Sequence, residues 1–336
     1  MIITRAPFRM SFFGGGTDYQ PFFEEHGGSV LSTTFDKYCY TTVRHLPPFF
    51  DYHNQLTYSI IERVDSREEI QHPMVREAMK WLDMHELCIT YDADLPARSG
   101  LGSSSSFAAS LLLAFHALKG QYVTSQDLAE EAIYLERVLC AEKGGWQDQI
   151  AVCCGGFNRI NFSRNGFEVS PVILSRERRE ALNQKLMLFF TGFSRISSDI
   201  AAAQTAAVHD KIAELQEMCC LVDEAERILV SKQASLDDFG YLLHHTWELK
   251  RGLTGKVSTN SLDRIYQAAR DAGALGGKLL GAGGGGFFLF YVPEERQNAV
   301  REALIHLLYV PFHFEDQGAQ VLYYRPEDYK LPHDRR

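Results

Sequence analysis

The chain has 336 residues, of which 45% are hydrophobic and 23% charged. That balance belongs to a folded protein of about two domains and excludes disorder or collagen-like structure for its bulk. A net charge of −9 disfavours general binding of nucleic acid or of an anionic membrane surface. It still leaves room for an anionic small molecule held by backbone N–H groups and a few cations.

The opening segment MIITRAPFRMSFFGGG lacks the basic-then-apolar pattern of a signal peptide. No apolar run nears the roughly 20 residues that span a bilayer. The seven cysteines, Cys39, Cys88, Cys140, Cys153, Cys154, Cys219 and Cys220, form no C-x-x-C pair. Their odd number and two adjacent pairs read as reduced thiols of a cytosolic protein rather than as a disulfide framework.

In chain order, Ile2–Ala6 reads as a strand ending at Pro7. The β-branched and aromatic runs Ser29–Phe35 and Tyr38–Leu46 read as two more, and Thr57–Ile61 as another. Pro73 opens a helix carrying Val75, Ala78 and Leu82, and Cys88–Asp92 returns to strand. The loop ARSGLGSSSS then feeds an apolar helical stretch, Phe107–Leu118. Thr124 and Asp127 have capping-box spacing, followed by Leu128, Ala132, Leu135 and Leu139 at helical intervals. Gly155–Phe162 and Val169–Val172 read as strands closing the first half.

Leu186–Phe190 is a buried strand by composition, and a long helix follows with Ile212, Leu215, Cys219, Val222 and Leu229 on one face. Leu262–Ala272 reads as a helix and Phe287–Val292 as a strongly apolar strand. Val300, Ala303, Leu304 and Leu307 mark a further helix, and Val321–Tyr324 a last strand. Mixed strands and helices predict an α+β or α/β architecture in two lobes. The polar run SRERREALN sets the boundary near 175–185.

Three glycine-rich loops carry the chemistry: Phe13–Tyr19, Pro96–Ser106 and Gly276–Gly286, the last with seven glycines. In the second, Gly100 and Gly102 let successive N–H groups turn inward, and serines lead straight into an apolar helix. Free N–H groups and the positive end of a helix dipole make an anion site, and serine hydroxyls can bond phosphate or ligate Mg²⁺. The plainer reading is a capped buried helix with glycines that close a turn. A Walker A loop is excluded, because Gly255-Lys256 and Gly277-Lys278 precede Val257 and Leu279 rather than Ser or Thr. Gly281–Gly286 fits G-x-G-x-x-G but precedes a strand, which a dinucleotide fingerprint does not. Asp238-Phe239-Gly240 has no H-R-D upstream and lies in a helical segment, so it reads as coincidence.

In Gly144-Gly145-Trp146-Gln147-Asp148-Gln149 a glycine pair puts Asp148 on a turn beside an apolar strand, twelve residues after a helical Glu136. Phosphoryl transfer needs a metal held by oxygens and a carboxylate facing the attacking hydroxyl. Ser104, Glu136 and Asp148 can supply both if loop and helix converge; the alternatives are a solvated helical Glu and a turn-forming Asp.

Taken together and in this order, the motifs resemble those of the GHMP kinases. The A-P-x-R…G-T-D-Y opening matches Ala6, Pro7, Arg9, Thr17, Asp18 and Tyr19; P-x-x-x-G-L-G-S-S matches Pro96 to Ser104; G-x-x-D-Q matches Gly145, Asp148 and Gln149; and K-x-x-G-A-G-x-G-G matches Lys278 to Gly286. Within that family GGGTD, PARSGLGSSSSF, GGWQDQ, TGFSRISS and GGKLLGAGGGGFFLFY are similar to the heptose 7-phosphate kinase subgroup. The resemblance implies a two-lobed GHMP-kinase fold, with a mixed-sheet N-terminal domain over 1–178 and a ferredoxin-like C-terminal domain over 179–336.

It further implies transfer of the ATP γ-phosphate, with Mg²⁺, to the anomeric hydroxyl of D-glycero-D-manno-heptose 7-phosphate. Other sugar 1-kinases of fucose or galactose type and a non-catalytic sensor are the alternatives. By the resemblance Asp148 is the base and Arg9 offsets phosphoryl charge. Ser104 and Glu136 hold Mg²⁺, and Gly100, Leu101, Gly102, Ser103, Ser104 and Ser105 cradle the triphosphate. Gly15, Gly16, Thr17, Asp18, Lys278, Gly283 and Gly284 face the substrate. Galactokinases carry Glu and His where Gly15 and Gly16 stand, so this chain has space and bare N–H groups there, fitting a longer or more anionic sugar. Arg195 is the first candidate for a second phosphate, Lys278 the next, and Lys250 and Arg251 follow. The expected partners are a sugar phosphate and ATP, with neither nucleic acid nor membrane; a homodimer is compatible with the sequence.

Overall fold

The first strand, β1 (Ile2–Phe13), does not stop at Pro7 but runs on through it. Its partner, β2 (Gly28–His45), is likewise one strand where the sequence reads two. The two departures have a common cause. The register of the pair shifts between Pro7 and Phe8, and Asp36 and Lys37 fall between the Phe35 and Tyr38 pairings. A bulge of this kind absorbs a residue without an N–H and lets both strands continue.

The structure, a computed structural model, describes residues 1–97, 99–192, 202, 203, 205, 208–254 and 257–326. The chain continues with α1 (Gln20–His26), which precedes β2, and then the hairpin β3 (Asn54–Thr57) and β4 (Ile61–Val64). The expected strand over Thr57–Ile61 is the turn of that hairpin. After α2 (Pro73–Trp81) come β5 (Leu87–Ala93), α3 (Ser103–Leu118) and α4 (Ser125–Ile133). Thr124 caps α4 by accepting the Asp127 N–H, as its spacing predicts. The helix then widens into a π-helical turn, Tyr134–Leu139. Next are α5 (Gln147–Cys154), β6 (Phe157–Ser163), β7 (Gly166–Pro171) and α6 (Arg176–Gln184).

The second lobe holds β8 (Leu186–Phe190), α7 (Ile212–Val230), α8 (Leu236–Leu253), α9 (Asn260–Asp271), β9 (Gly276–Leu279), β10 (Phe287–Tyr291), α10 (Gln297–Ala303) and β11 (Leu308–Val310). Its sheet has the order β11-β8-β10-β9, antiparallel throughout. That is the ferredoxin-like arrangement the resemblance implies. The chain then returns to the first lobe as β12 (Phe314–Glu315) and β13 (Gln320–Tyr324), which pair with β2 and β1. The first sheet has the order β13-β1-β2-β5-β3-β4, with β6, β7 and β12 attached beside β2. Among the described residues only β3 and β5 pair in parallel, so the sheet is mixed and the two-lobed α+β architecture expected from the sequence is the one observed.

The lobes share one core. Phe12 stacks on Phe157 at 5.4 Å and meets Phe239 of α8 edge-on at 5.4 Å, while Phe13 meets the same ring at 5.0 Å. Burying each ring contributes about 1.5–3 kcal/mol, so Phe239 ties α8 to β1 and the D-F-G spelling is structural. All seven cysteines are free thiols. Among the described residues no helix is long and apolar enough to cross a membrane.

Candidate active site

A cleft of about 290 Å³ opens where β1, the Gly14–Gly16 loop, the start of α3, the π-helical turn, the start of α5, α8 and the Gly281 loop meet. Elements from both lobes therefore wall one cavity. Two glycines make the junction. Gly100 has φ +82° and Gly281 φ +74°, and a Cβ on Gly281 would lie 2.4 Å from the Gly100 Cα. A Cβ on Gly100 would lie 2.4 Å from the Leu280 carbonyl oxygen. Only two bare backbones fit there, and both need the left-handed conformation.

Gly102, at φ +76°, turns the chain into α3 and presents the serines at its N-terminus. Ser103 and Ser105 are buried in the wall, whereas Ser104 is exposed at it. Leu101 is fully buried and does not line the cleft. The Ser105 hydroxyl donates to Glu136 Oε2 at 2.7 Å, and the Gln149 amide donates to the same oxygen. Glu136 is completely buried and its other oxygen, Oε1, has no partner among the described residues. A buried carboxylate oxygen left unpaired is costly. Mg²⁺ takes one or two protein oxygens together with substrate phosphates and water, and the orphaned Glu136 oxygen with the exposed Ser104 hydroxyl fits that donor set.

Asp148 sits in the first turn of α5, not beside a strand as the sequence reads. Ile150, Ala151, Val152 and Cys153 are buried as a helix, because tertiary packing outweighs the weak preference of such residues for strand. Its carboxyl is gripped by Arg9, whose Nε and Nη2 donate at 2.8 and 2.7 Å. The Arg9 Nη1 donates to the Gly100 carbonyl at 2.8 Å, and the Arg9 N–H to the Leu101 carbonyl at 3.1 Å. A Cβ on Gly102 would lie 3.7 Å from Asp148 Oδ2. The carboxyl therefore faces the head of α3.

Asp18 is buried and accepts the N–H groups of Gly16 at 2.8 Å and Gln147 at 3.2 Å. A Cβ on Gly145 would fall 1.8 Å from its carboxyl, which is why glycine stands there. Burial raises the Asp18 pKa, the Gly16 N–H opposes that, and the charge of Asp148 adds to it. Gly15 and Gly16 line the cleft, and a Cβ on Gly15 would have room. Thr17 faces away, its hydroxyl donating to the Gly14 and Ser29 carbonyls.

Lys278 lines the cleft but is 1% exposed and donates to the Phe12 carbonyl at 2.8 Å. Burial, with the nearby charges of Lys250 and Arg9, pushes its pKa well down. From the third loop Gly281 and Ala282 reach the wall, while Gly283 and Gly284 pack against Val257. Arg195 lies outside the described residues.

Lys250 ranks low as a cation in sequence, yet it is a buried part of the wall. Arg137, Lys143, Ser11 and Gln147 also line it, unforeseen. Arg137 and Lys143 lie within the Glu136–Asp148 segment, so spacing could have flagged them. Ser11 Oγ and Gln147 Oε1 are buried and unpartnered among the described residues; the amide oxygen accepts only and suits a ligand hydroxyl, whereas the serine suits a hydroxyl or a phosphate.

Comparisons with known proteins show what the chain and its fold are similar to. Residues 70–156 match the model "GHMP kinases N terminal domain" and residues 231–309 match "GHMP kinases C terminal". The chain is 29% identical to the D-glycero-alpha-D-manno-heptose 7-phosphate kinase of Campylobacter jejuni, in an alignment covering 95% of this chain and 98% of that one. It is 25% identical to an L-fucokinase/L-fucose-1-P guanylyltransferase of Bacteroides fragilis, with 88% of this chain but 35% of that one aligned. Among solved structures, a D-glycero-D-manno-heptose 1-phosphate kinase from Bacteroides thetaiotaomicron superposes with a TM-score of 0.77 at 24% identity, covering 96% of this chain and 99% of that one. A galactokinase from Lactococcus lactis gives 0.74 at 18%, covering 96% and 95%.

Proposed function

The chain belongs to the GHMP kinase family, and from that premise we propose that it transfers the γ-phosphate of ATP to the anomeric hydroxyl of D-glycero-D-manno-heptose 7-phosphate. The product is the 1,7-bisphosphate, a precursor of nucleotide-activated heptose made by a cytoplasmic enzyme. One observation carries the reading: the Asp148 carboxyl, held by both prongs of Arg9, faces the Gly102 turn at the head of α3. An acceptor hydroxyl placed there would meet a carboxyl on one side and a phosphate seated on the helix N-terminus on the other.

In this mechanism the loop N–H groups and the serines of α3 hold the triphosphate. Ser104 and Glu136 would hold Mg²⁺, which when bound neutralises charge on the β- and γ-phosphates. Asp148 takes the proton of the acceptor hydroxyl as the oxygen–phosphorus bond forms and the bond to ADP breaks. Arg9, released from one carboxyl oxygen, balances charge on the transferring group. Asp18 and the backbone of Gly15 and Gly16 position the sugar, with Thr17, Gly283 and Gly284 supporting that wall from behind. Lys278 and Arg195 stay assigned to the substrate side. The support for a heptose phosphate is the relative aligned along nearly its whole length, together with the open space at Gly15. A fucose-type 1-kinase is the second reading, favoured by the alignment to fucokinases.

The test is a screen of purified protein with ATP and Mg²⁺ against heptose 7-phosphates, hexose 6-phosphates and free sugars, with phosphorus NMR of the product. Faster turnover of free L-fucose than of any heptose phosphate would select the second reading. ATP use without sugar consumption would reject both.

A further inference from the structure

Lys250 projects from α8, near the end of that helix, into the seam between the lobes. The residue is 5% exposed and still part of the cleft wall. The ammonium donates to the carbonyls of Leu279, at 3.1 Å, and Gly281. Leu279 ends β9, and Gly281 lies in the loop that follows, where its backbone packs against Gly100. The Gly100 carbonyl in turn accepts from Arg9 Nη1, and Arg9 grips Asp148. A continuous chain of contacts thus runs from one buried cation of the C-terminal lobe to the carboxyl of the N-terminal lobe.

No carboxyl pairs directly with this ammonium among its described hydrogen bonds. A buried charge without an ion-pair partner is costly to retain, so it is kept for what it does to those two carbonyls. We propose that Lys250 is a positioning residue for phosphoryl transfer: in its charged form it fixes the Gly281 loop against the phosphate loop and so fixes Arg9 on Asp148. This rests on the kinase reading.

The geometry gives the role a pH signature. Burial, reinforced by the charge of Arg9, pulls the Lys250 pKa down to about 7, against the opposing charges of Asp18 and Asp148. Lys278 on β9 is the other cation facing it. The charged form is therefore complete below that value and lost as pH rises through it. Bound triphosphate and sugar phosphate add negative charge to the cleft and favour the ammonium. In the wild type, kcat/KM for both substrates therefore falls as pH rises through about 7, whereas the fall in kcat lies at higher pH.

The experiment compares wild type, Lys250→Met and Lys250→Arg by pH profile, with thermal melts to establish folding. Lys250→Met should lower kcat/KM at pH 6 by about 10²-fold, the scale of an ångström-sized misplacement near a reacting centre, and its profile should lack the fall near neutrality. Lys250→Arg keeps a permanent charge, so it should retain more activity than Lys250→Met and also lose the fall. Should Lys250→Met not fold, the arginine profile decides. A neutral fall that persists in either folded variant overturns the proposal, as does a folded Lys250→Met within about threefold of wild type, a change too small for lost positioning. A wild type that phosphorylates no sugar fails the kinase reading itself, a distinguishable outcome.

Discussion

Arg9 and Asp148 lie 139 positions apart in the chain, yet they form a two-pronged ion pair at 2.8 and 2.7 Å. Arg9 is almost wholly buried in β1, while a quarter of the Asp148 side chain stays accessible at the start of α5. The rigid partner thus aims the accessible one. Asp148→Asn would keep the size of the side chain and remove the proton acceptor. Turnover should fall by about 10²–10⁴-fold, the usual worth of general-base help. Calorimetric titration with a non-hydrolysable ATP analogue should show affinity within a fewfold of wild type. Equal losses in both would assign Asp148 to nucleotide binding instead.

Substituting either junction glycine should damage the site without touching a charged group. Gly281→Ala places a methyl group 2.4 Å from the Gly100 Cα at a positive φ. Strain of that kind costs about 1–3 kcal/mol. A lower melting temperature and a raised KM for ATP are expected together. Unchanged values for both would mean that the lobes do not meet through this contact in solution.

Glu136→Gln retains the shape of the side chain but loses charge at the orphaned oxygen. The Mg²⁺ concentration for half-maximal activity should rise by at least the 10–100-fold that loss of a supporting partner costs a metal site. An unaltered Mg²⁺ titration would remove Glu136 from the donor set.

Gly15→Glu tests the space beside the sugar. The backbone there tolerates a side chain, with nothing nearer than 3.5 Å. A carboxylate should repel a phosphorylated sugar, raising its KM about tenfold, since like-charge juxtaposition costs at least 1.4 kcal/mol. The KM for an unphosphorylated heptose should change less. Equal effects on the two sugars would place the distal phosphate elsewhere.

Away from the cleft, His116 and Glu131 form a largely buried pair, Nε2 to Oε2 at 2.6 Å. The hydrogen bond to Glu131 raises the His116 pKa, with burial opposing it. A histidine raised on folding stabilises the protein fully below its unfolded value of about 6.5, and that contribution fades as pH climbs through the folded value. Glu131→Gln should therefore lower the melting temperature more at pH 6 than at pH 8.5. An equal loss at both would show that the imidazole is neutral throughout.

Local signals made the glycine loops, the capped start of α4 and the apolar strands β8 and β10 legible in the sequence, since each rests on residues within a few positions of one another. What long-range contact decides was hidden. Pro7 punctuates a sequence but not a strand whose bulge absorbs it. Gly276-Gly277 forms strand because β10 lies alongside. The segment after Asp148 has strand-like residues and becomes helix by packing. Lys250 carries no motif at all; its acceptors lie 29 and 31 positions further along and come within reach only when α8 packs on β9. Motif spacing pointed to Asp148 and Glu136, but the grip of Arg9 on Asp148 could be seen only after folding.

The pairing of β1 with β13 has a consequence for biosynthesis. Arg5 meets Gln320, a partner translated 315 positions later. Until then Ile2–Arg5 of the long strand β1 present unpaired backbone N–H and C=O groups, an invitation to aggregate that the short, exposed edge strand β13 replaces. Ribosome-bound intermediates halted before residue 320 should therefore depend on chaperones that shield strand edges, and released full-length chains should not. Limited proteolysis of the two populations would tell them apart.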